Sequence, residues 1–477
     1  MEKLRISYVK KRDKTMKQKR TIPTRNKHNL RTIHKVVLFV CCFSPFLLVN
    51  SQTLSLDSCI NLALKNNAKT QNSMLEIEAS KQVKKQAKTK YFPNISLTAA
   101  GFAALNPFVE LGIQDISNAS TRDLLNTLYA EYGAALGLPN NISLFQAGMT
   151  AAATAIQPIF VGGQIVNGNR LAQLGVEASK LQNEISKQEV RLQTEESYWL
   201  VVSLHEKVKT VREAQTFLDT IYHDVTGAYQ AGLITQTDVL KVTLKRNELN
   251  SAALKLKNGV LLAQMALCQS IGITYSDSLR LTDSLTHEIA EPLQFYRPTN
   301  EAVSNRNETK LLDMSVQAEK LKRKMTLGET LPQVAIGATY LYHNLFGRDE
   351  LNGMVFATIQ VPLTNWWETS HKLKAHKIHE QIAENSRRDL TEKIDLQVRQ
   401  AWNELQEGYQ QIAIAEETVS NAQQNLTVTL QNYQAGLISV SELLEAQITH
   451  RQAVDQQCNE RIAYQIKVTK YKQLSAQ

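Results

Sequence analysis

Two hydrophobic periods alternate along this chain, and each recurs. Stretches of about ten residues switch between apolar and polar positions in steps of two: Ile95, Leu97 and Ala99, and, more regularly, Val334, Ile336, Ala338, Tyr340 and Tyr342. With two further runs that hold no proline before their ends, they predict strands at about 94–103, 149–160, 333–345 and 353–363. Each is long enough to cross a bilayer when tilted. Elsewhere the period is helical. Residues 165–231 contain no proline and space Leu174, Leu181, Ile185, Leu192 and Trp199 by 7, 4, 7 and 7, a coiled-coil seam. At 1.5 Å per residue this is a rod of about 100 Å. Its counterpart spans about 370–435, with a less regular seam at Ile378, Ile382, Ile394, Trp402 and Leu405. Shorter helices are expected near 55–90, 235–271, 297–328 and 439–475. A pair of them laid end to end matches one long helix, so the economical packing sets each long helix antiparallel to two stacked short ones.

The recurrence is a duplication. Tyr-Gln-Ala-Gly-Leu-Ile occurs at Tyr229–Ile234 and again 204 residues later at Tyr433–Ile438. The same offset takes Pro158 to Pro362, Tyr198 to Trp402 and Asp238 to Glu442. Upstream the offset is 239, relating Ala63 to Ala302, Asn66 to Asn305 and Pro93 to Pro332, so the first copy carries 35 extra residues. The chain divides into a leader at 1–51, a first repeat at 52–272, a linker at 273–300 and a second repeat at 301–477. Each repeat holds one hairpin. The second turns near Phe346–Asp349, and the first carries the excess as a loop from Leu105 to Phe145 with a short amphipathic helix about Arg122–Ala134.

The net charge of +9 suggests nucleic acid, but the leader alone carries +11, from 13 Lys and Arg against Glu2 and Asp13. Subtracting it leaves −2, so no basic patch is expected on the remainder to attract phosphate. The basic leader precedes an apolar run, Val36–Val49, and a small residue at Ser51, which reads as a secretory signal peptide cut after Ser51, with Met16 an alternative start. Cys41 and Cys42 lack the context of a lipidated cysteine, and Cys59, Cys268 and Cys458 read as small buried hydrophobes. After the leader no apolar stretch approaches 18 residues, so a membrane can be reached only as strands. Four strands do not close a barrel, whose smallest forms need about 8, so several chains must share one.

Gly232 and Gly436 are placed to end the long helices in the left-handed conformation, and Thr235 with Asp238, and Ser439 with Glu442, have the spacing of capping boxes at the next helices. These are hairpin tips. Pro93, Pro158, Pro332 and Pro362 mark the opposite end, where Trp366-Trp367 has the position of an interfacial aromatic girdle. The chain has no Gly-x-Ser-x-Gly, no Gly-x-x-x-x-Gly-Lys and no His-Glu-x-x-His. His371, His376 and His379 lack the carboxylate company of a metal site, and no cofactor or metal is expected.

Two copies of helix, β-hairpin, long helix, Gly-Leu tip and returning helix behind a signal peptide resemble the TolC-like outer-membrane efflux channel family, over essentially the whole chain after residue 52. The resemblance rests on the two tips, the proline-flanked hairpins and the Ala-Leu-Lys-Asn-Asn at Ala63–Asn67. It implies a mainly α protein with membrane β: a homotrimer whose twelve strands form a barrel in the outer membrane of a Gram-negative bacterium and whose helices form a periplasmic tunnel. It also implies a passive duct for efflux or type I secretion, with a periplasmic adaptor, an inner-membrane pump and outer-membrane lipids as partners. Gly232, Leu233, Gly436 and Leu437 would then contact the adaptor. Asp238, Glu442 and Glu445 would line the mouth, with Tyr433 bonding Asp238 in the closed gate. Ile438 stands where the family often has an arginine latch. Two other readings of the residues stay open. A periplasmic adaptor would carry one helical hairpin flanked by β-domains, and a structural coiled-coil protein would not need four bilayer-length strands.

Overall fold

The computed structural model describes residues 53–477 except 134, 138, 140, 145, 278, 284–288, 346, 347 and 477. The expected leader, its cleavage point, Met16, Cys41 and Cys42 lie outside the described residues, as does part of the turn at Phe346–Asp349.

Eight principal helices and four long strands make up the described chain. The helices are α1 (Leu56–Asn66), α2 (Ala68–Thr89), α3 (Gln164–Gln230), α4 (Gln236–Ser270), α5 (Thr299–Asn305), α6 (Asn307–Gly328), α7 (Asn365–Gln434) and α8 (Val440–Leu474). The strands are β1 (Asn94–Ala103), β2 (Ala147–Val161), β3 (Gln333–His343) and β4 (Glu350–Gln360). Next to the sheet the helices lie in the order α2, α3, α6, α7, which repeats the strand order β1, β2, β3, β4. At the far end the order is α4, α3, α8, α7. Each long helix therefore backs two shorter ones, and one wall continues from strands into helices. No helix among the described residues is long and apolar enough to cross a membrane.

The sequence does not signal that the short upper helices are broken. Asn67, with φ −64° and ψ 132°, ends α1 and starts α2: its N–H reaches Ala63 O at 2.8 Å, its side chain accepts from Lys69 N at 2.9 Å, and its amide donates to Ser270 O at 2.9 Å. Arg306, its counterpart in the second copy, has φ −64° and ψ 141° and separates α5 from α6. An extended residue stops a helix in either case, and the asparagine satisfies the broken ends with its own amide. Arg306 is buried and pairs with Glu308. Burial alone would raise the Glu308 carboxyl, but the guanidinium and a backbone hydrogen bond together hold it below its ordinary value.

Other departures concern faces and ends. α7 begins at Asn365 rather than about 370, so Trp366 and Trp367 belong to its first turn, both exposed. Ile378 and Ile382 of the expected seam are more than half exposed, whereas Ile394 and Leu405 are buried. At that level α7 has only α6 beside it within the chain, so half its surface has no partner. In α3 the most buried apolar positions are Val190, Tyr198, Val201 and Val225, and Ile185 and Trp199 of the expected seam are buried as well. Loop 105–145 folds as a two-strand ribbon, Val109–Gly112 with Asn141–Leu144, around a helix at Ala119–Leu128 that starts three residues before the expected Arg122 and runs into a π turn.

The linker packs against the middle of the helices. Thr53–Leu54 pairs in parallel with Arg280–Leu281, and Tyr198 donates its hydroxyl to Asp283 Oδ2 at 2.7 Å. Tyr464 donates to Ala290 O at 2.5 Å, and Tyr296 stacks edge-on against Trp402. Cys59, Cys268 and Cys458 are buried free thiols, and burial pushes the Cys59 thiol up to about 12.

The sheet is antiparallel throughout, with a bulge between Pro158 and Phe160. Residues opposite each other across a ladder share a face, so the register sorts the strands into two surfaces. One gathers Ile95, Leu97, Ala153, Ala155, Ile336, Ala338, Tyr340, Val355 and Ile359. The other gathers Ser96, Thr98, Thr154, Thr339, Asn352 and Thr358 among Ile156, Leu341, Met354 and Phe356, and closes with His343 beside Glu350. The apolar surface is exposed, with Ile95 at 75%, Leu97 at 79% and Val355 at 84%. Strands β1 and β4 each pair on one side only.

Candidate channel mouth and hairpin tips

The far end of the helices carries every residue that the sequence marks for a site. Both long helices stop in the same way. Gly232 (φ 75°) and Gly436 (φ 72°) turn left-handed. Their N–H groups reach Tyr229 O and Tyr433 O at 2.9 Å, and the next residues, Leu233 and Leu437, reach back to Ala228 O and Asn432 O at 2.9 Å. This doubly bonded stop is one that glycine makes without strain. It leaves Leu233 and Leu437 77% and 74% exposed at the ends of the hairpins.

The returning helices start differently in the two copies. In the second, Ser439 and Glu442 form the expected box: Ser439 Oγ accepts from Glu442 N at 3.4 Å, and Glu442 Oε1 accepts from Ser439 N at 3.3 Å and Ser439 Oγ at 3.0 Å. In the first the box does not form. Thr235 makes no side-chain cap, and its hydroxyl donates to Asp238 Oδ2 at 2.8 Å. Aspartate is one methylene shorter than glutamate, and the Thr235 hydroxyl is its main partner at this helix start. That hydroxyl first, and Lys241 after it, hold the Asp238 carboxyl below its ordinary value against the opposing effect of burial.

Glu442 and Glu445 are exposed on one face of α8, while Leu443, Leu444, Ala446 and Gln447 between and beyond them are buried. The two carboxylates thus point away from the hairpin packing. Tyr433 is half-buried in the tip core, beside Leu430 and Ile234. Burial first, then the charges of Asp224 and Asp238, raise its hydroxyl above the ordinary tyrosine value. Asp238 is therefore near Tyr433, but its hydrogen bonds go to Thr235 and Lys241.

Lys241 is the residue that sequence reasoning missed. Its Nζ lies 3.4 Å from Asp238 Oδ1 and 3.0 Å from Ser441 Oγ on α8, so it ties the returning helix of one repeat to that of the other. The signal was present: the 204-residue offset sets Lys241 against Glu445, a reversal of charge within an otherwise matched tip. One turn further up, Arg246 binds Asp219 at 2.7 Å and covers the Tyr222 ring at 4.4 Å, which fastens α4 to α3. His376 lies 3.1 Å from Thr326 Oγ1 and its ring is 6.5 Å from that of His379. Among the described residues no three His, Cys, Asp or Glu are grouped to hold a metal.

These two tips, joined by one wall to an open-edged apolar sheet, are features that known proteins share. The outer membrane channel CmeC of Campylobacter jejuni is similar over 88% of this chain and 85% of its own, at 15% identity and a TM-score of 0.71. CusC, whose structures describe transmembrane channel formation, is similar over 88% of this chain and 91% of its own, at 13% identity and a TM-score of 0.70. The outer membrane protein VceC of Vibrio cholerae covers 88% and 96%, at 15% identity and a TM-score of 0.68. At these identities the likeness shows the fold. No curated protein matches the sequence. The profile of the outer membrane efflux protein family matches residues 59–273 and 312–476, which take in both hairpins and both tips. The chain belongs to the outer membrane efflux protein family.

Proposed function

We propose that this outer-membrane channel works as a homotrimer, the passive exit duct of a tripartite export system, with a periplasmic adaptor joining its tips to an inner-membrane pump. The observation that carries the reading is the four-stranded sheet with one apolar, exposed face and two unpaired edges, continuous with the helical wall. In hydrocarbon an open edge leaves backbone groups unsatisfied at several kcal/mol each, so the edges of neighbouring copies pair. Three copies give twelve strands, with the hydroxyl-rich face turned to a water-filled lumen. The chain supplies a conduit and no catalytic chemistry, and the pump selects the small molecules or proteins that leave.

Adaptor docking is assigned to Gly232-Leu233 and Gly436-Leu437, where the glycines admit a close backbone and the exposed leucines offer an apolar knob. Glu442 and Glu445 form acidic rings in the mouth, and Asp238 and Tyr433 belong to its closure. Gly436→Trp should abolish export while the channel still reaches the outer membrane, and Leu437→Glu, which leaves the backbone turn untouched, should do the same. Export at the normal rate in both variants, with normal channel levels, would assign docking elsewhere.

A further inference from the structure

The reading of the strands as membrane-spanning places one unassigned feature at the edge of the bilayer. Between α6 and α7, just below the sheet, lies an open groove of about 810 Å³. Its floor is apolar, made by Leu327, Leu331 and Leu373, and Trp366 closes the end towards the strands, its indole N–H donating to Thr330 O at 3.3 Å. Arg323, Lys324, Lys374 and Lys377 stand around it, and no carboxylate is among its walls. Arg323 is already engaged with Glu380 at 3.4 Å. Among the described residues no carboxylate lies within ion-pair distance of Lys324, Lys374 or Lys377. The nearby acids are spoken for: Lys372 holds Glu329 at 3.6 Å and Glu368 at 2.8 Å. Three exposed cations therefore converge on an apolar slot without a counter-charge.

We place the opening of the groove on the outer side of the wall. Trp366 and Trp402 are 36 residues apart on α7, ten turns of a straight helix, so they share a face. Trp402 is packed against Tyr296 of the linker at 5.0 Å between ring centroids, and a segment joining the two repeats cannot cross a lumen that must stay clear. The level is also fixed. Leu331 precedes β3 by two residues, and Trp366 follows β4 by six. Lys374 lies about 13 Å down α7 at 1.5 Å per residue. Side chains tilt towards the N-terminus of their helix, which for α7 is the membrane end, so Lys374 and Lys377 lean up into the headgroup zone. Tryptophan at the interface, cations just beneath it and an apolar slot between them match one amphiphile: acyl chain along leucine and indole, anionic phosphate among the ammonium groups.

We infer that this groove binds an anionic phospholipid of the periplasmic leaflet, one per chain, and fixes the depth at which the barrel sits. The inference rests on the channel reading. It is tested on the full-length protein in mild detergent by native mass spectrometry, with equal amounts of dioleoyl-phosphatidylglycerol and dioleoyl-phosphatidylcholine added. Phosphatidylglycerol should be retained on the order of tenfold or more in preference, as expected where several lysines meet one anionic headgroup. The triple change Lys324→Gln, Lys374→Gln, Lys377→Gln should abolish the preference, and the matching triple change to Arg should keep it. Millimolar inorganic phosphate should not displace the lipid. Equal retention of the two lipids, a preference that survives the Gln changes, or displacement by inorganic phosphate would each overturn the inference. The number of chains in the same spectrum tests the channel reading separately.

Discussion

Lys241 offers the sharpest perturbation of the mouth. Lys241→Met keeps the apolar stem and removes the ammonium that lies 3.0 Å from Ser441 Oγ and 3.4 Å from Asp238 Oδ1. The lysine is 44% exposed and the aspartate 25%, so the link is a solvent-screened one worth about 0.5 kcal/mol per chain. On the proposal that three copies form a gate closed by this link, about 1.5 kcal/mol is removed from the closed state, or roughly a tenfold rise in the open-to-closed ratio. Single-channel recording of the reconstituted protein reads this directly. Raising salt to about 1 M should bring wild type towards the variant, because the screening length falls to about 3 Å. Acid should weaken only the Asp238 contact that steadies Lys241 and so act less than the variant. The Asp238 carboxyl is depressed in the folded protein, so its contribution is complete above the ordinary aspartate value and is lost as pH falls through the lower folded one. Equal opening of variant and wild type at low salt would show that the Lys241 bridge does not hold the hairpins together.

Two further outcomes are expected. Glu442→Gln with Glu445→Gln should weaken cation selectivity and block by a trivalent cation at little cost to folding, because glutamine also serves a capping box; selectivity and block unchanged in conductance measurements would leave capping as the whole role of Glu442. Glu195, buried between α3 and α8 with Thr469 donating to it at 2.7 Å, has its carboxyl raised by burial, an effect the hydrogen bond only partly opposes. A raised carboxyl favours the fold most below the ordinary glutamate value and loses that contribution as pH rises through the folded one, so Glu195→Gln should raise Tm at pH 8 and lose the advantage at pH 4. A Tm difference independent of pH would contradict this.

Much of this architecture was legible because it is periodic and occurs twice. β1 spans Asn94–Ala103 because Ile95, Leu97 and Ala99 alternate, and the tips stand out because Tyr-Gln-Ala-Gly-Leu-Ile is repeated around two glycines that must adopt positive φ. What escaped notice depended on contacts between distant segments. The break at Asn67 is set by an amide that reaches Ser270, and its counterpart, Arg306, carries no helix-breaking signal of its own. Ile378 and Ile382 look like seam residues because a helix period says only that they share a face, not that a partner covers it within one chain. At the tips, Asp238 and Glu442 have equivalent spacing, but only Glu442 completes a capping box with the residue that starts its helix. Lys241 acts across two repeats, and no pattern within either repeat shows that.

The central claim is that one chain supplies a third of a barrel. β1 and β4 each leave one side unpaired, and an exposed apolar face runs between them. Four strands are half of the smallest membrane barrel, so no inserted monomer can close its own edges. The direct measurement is the mass of the protein extracted from the outer membrane in mild detergent, by native mass spectrometry or light scattering. The account predicts a stable species of three chains. A monodisperse monomer that remains inserted and folded would contradict it.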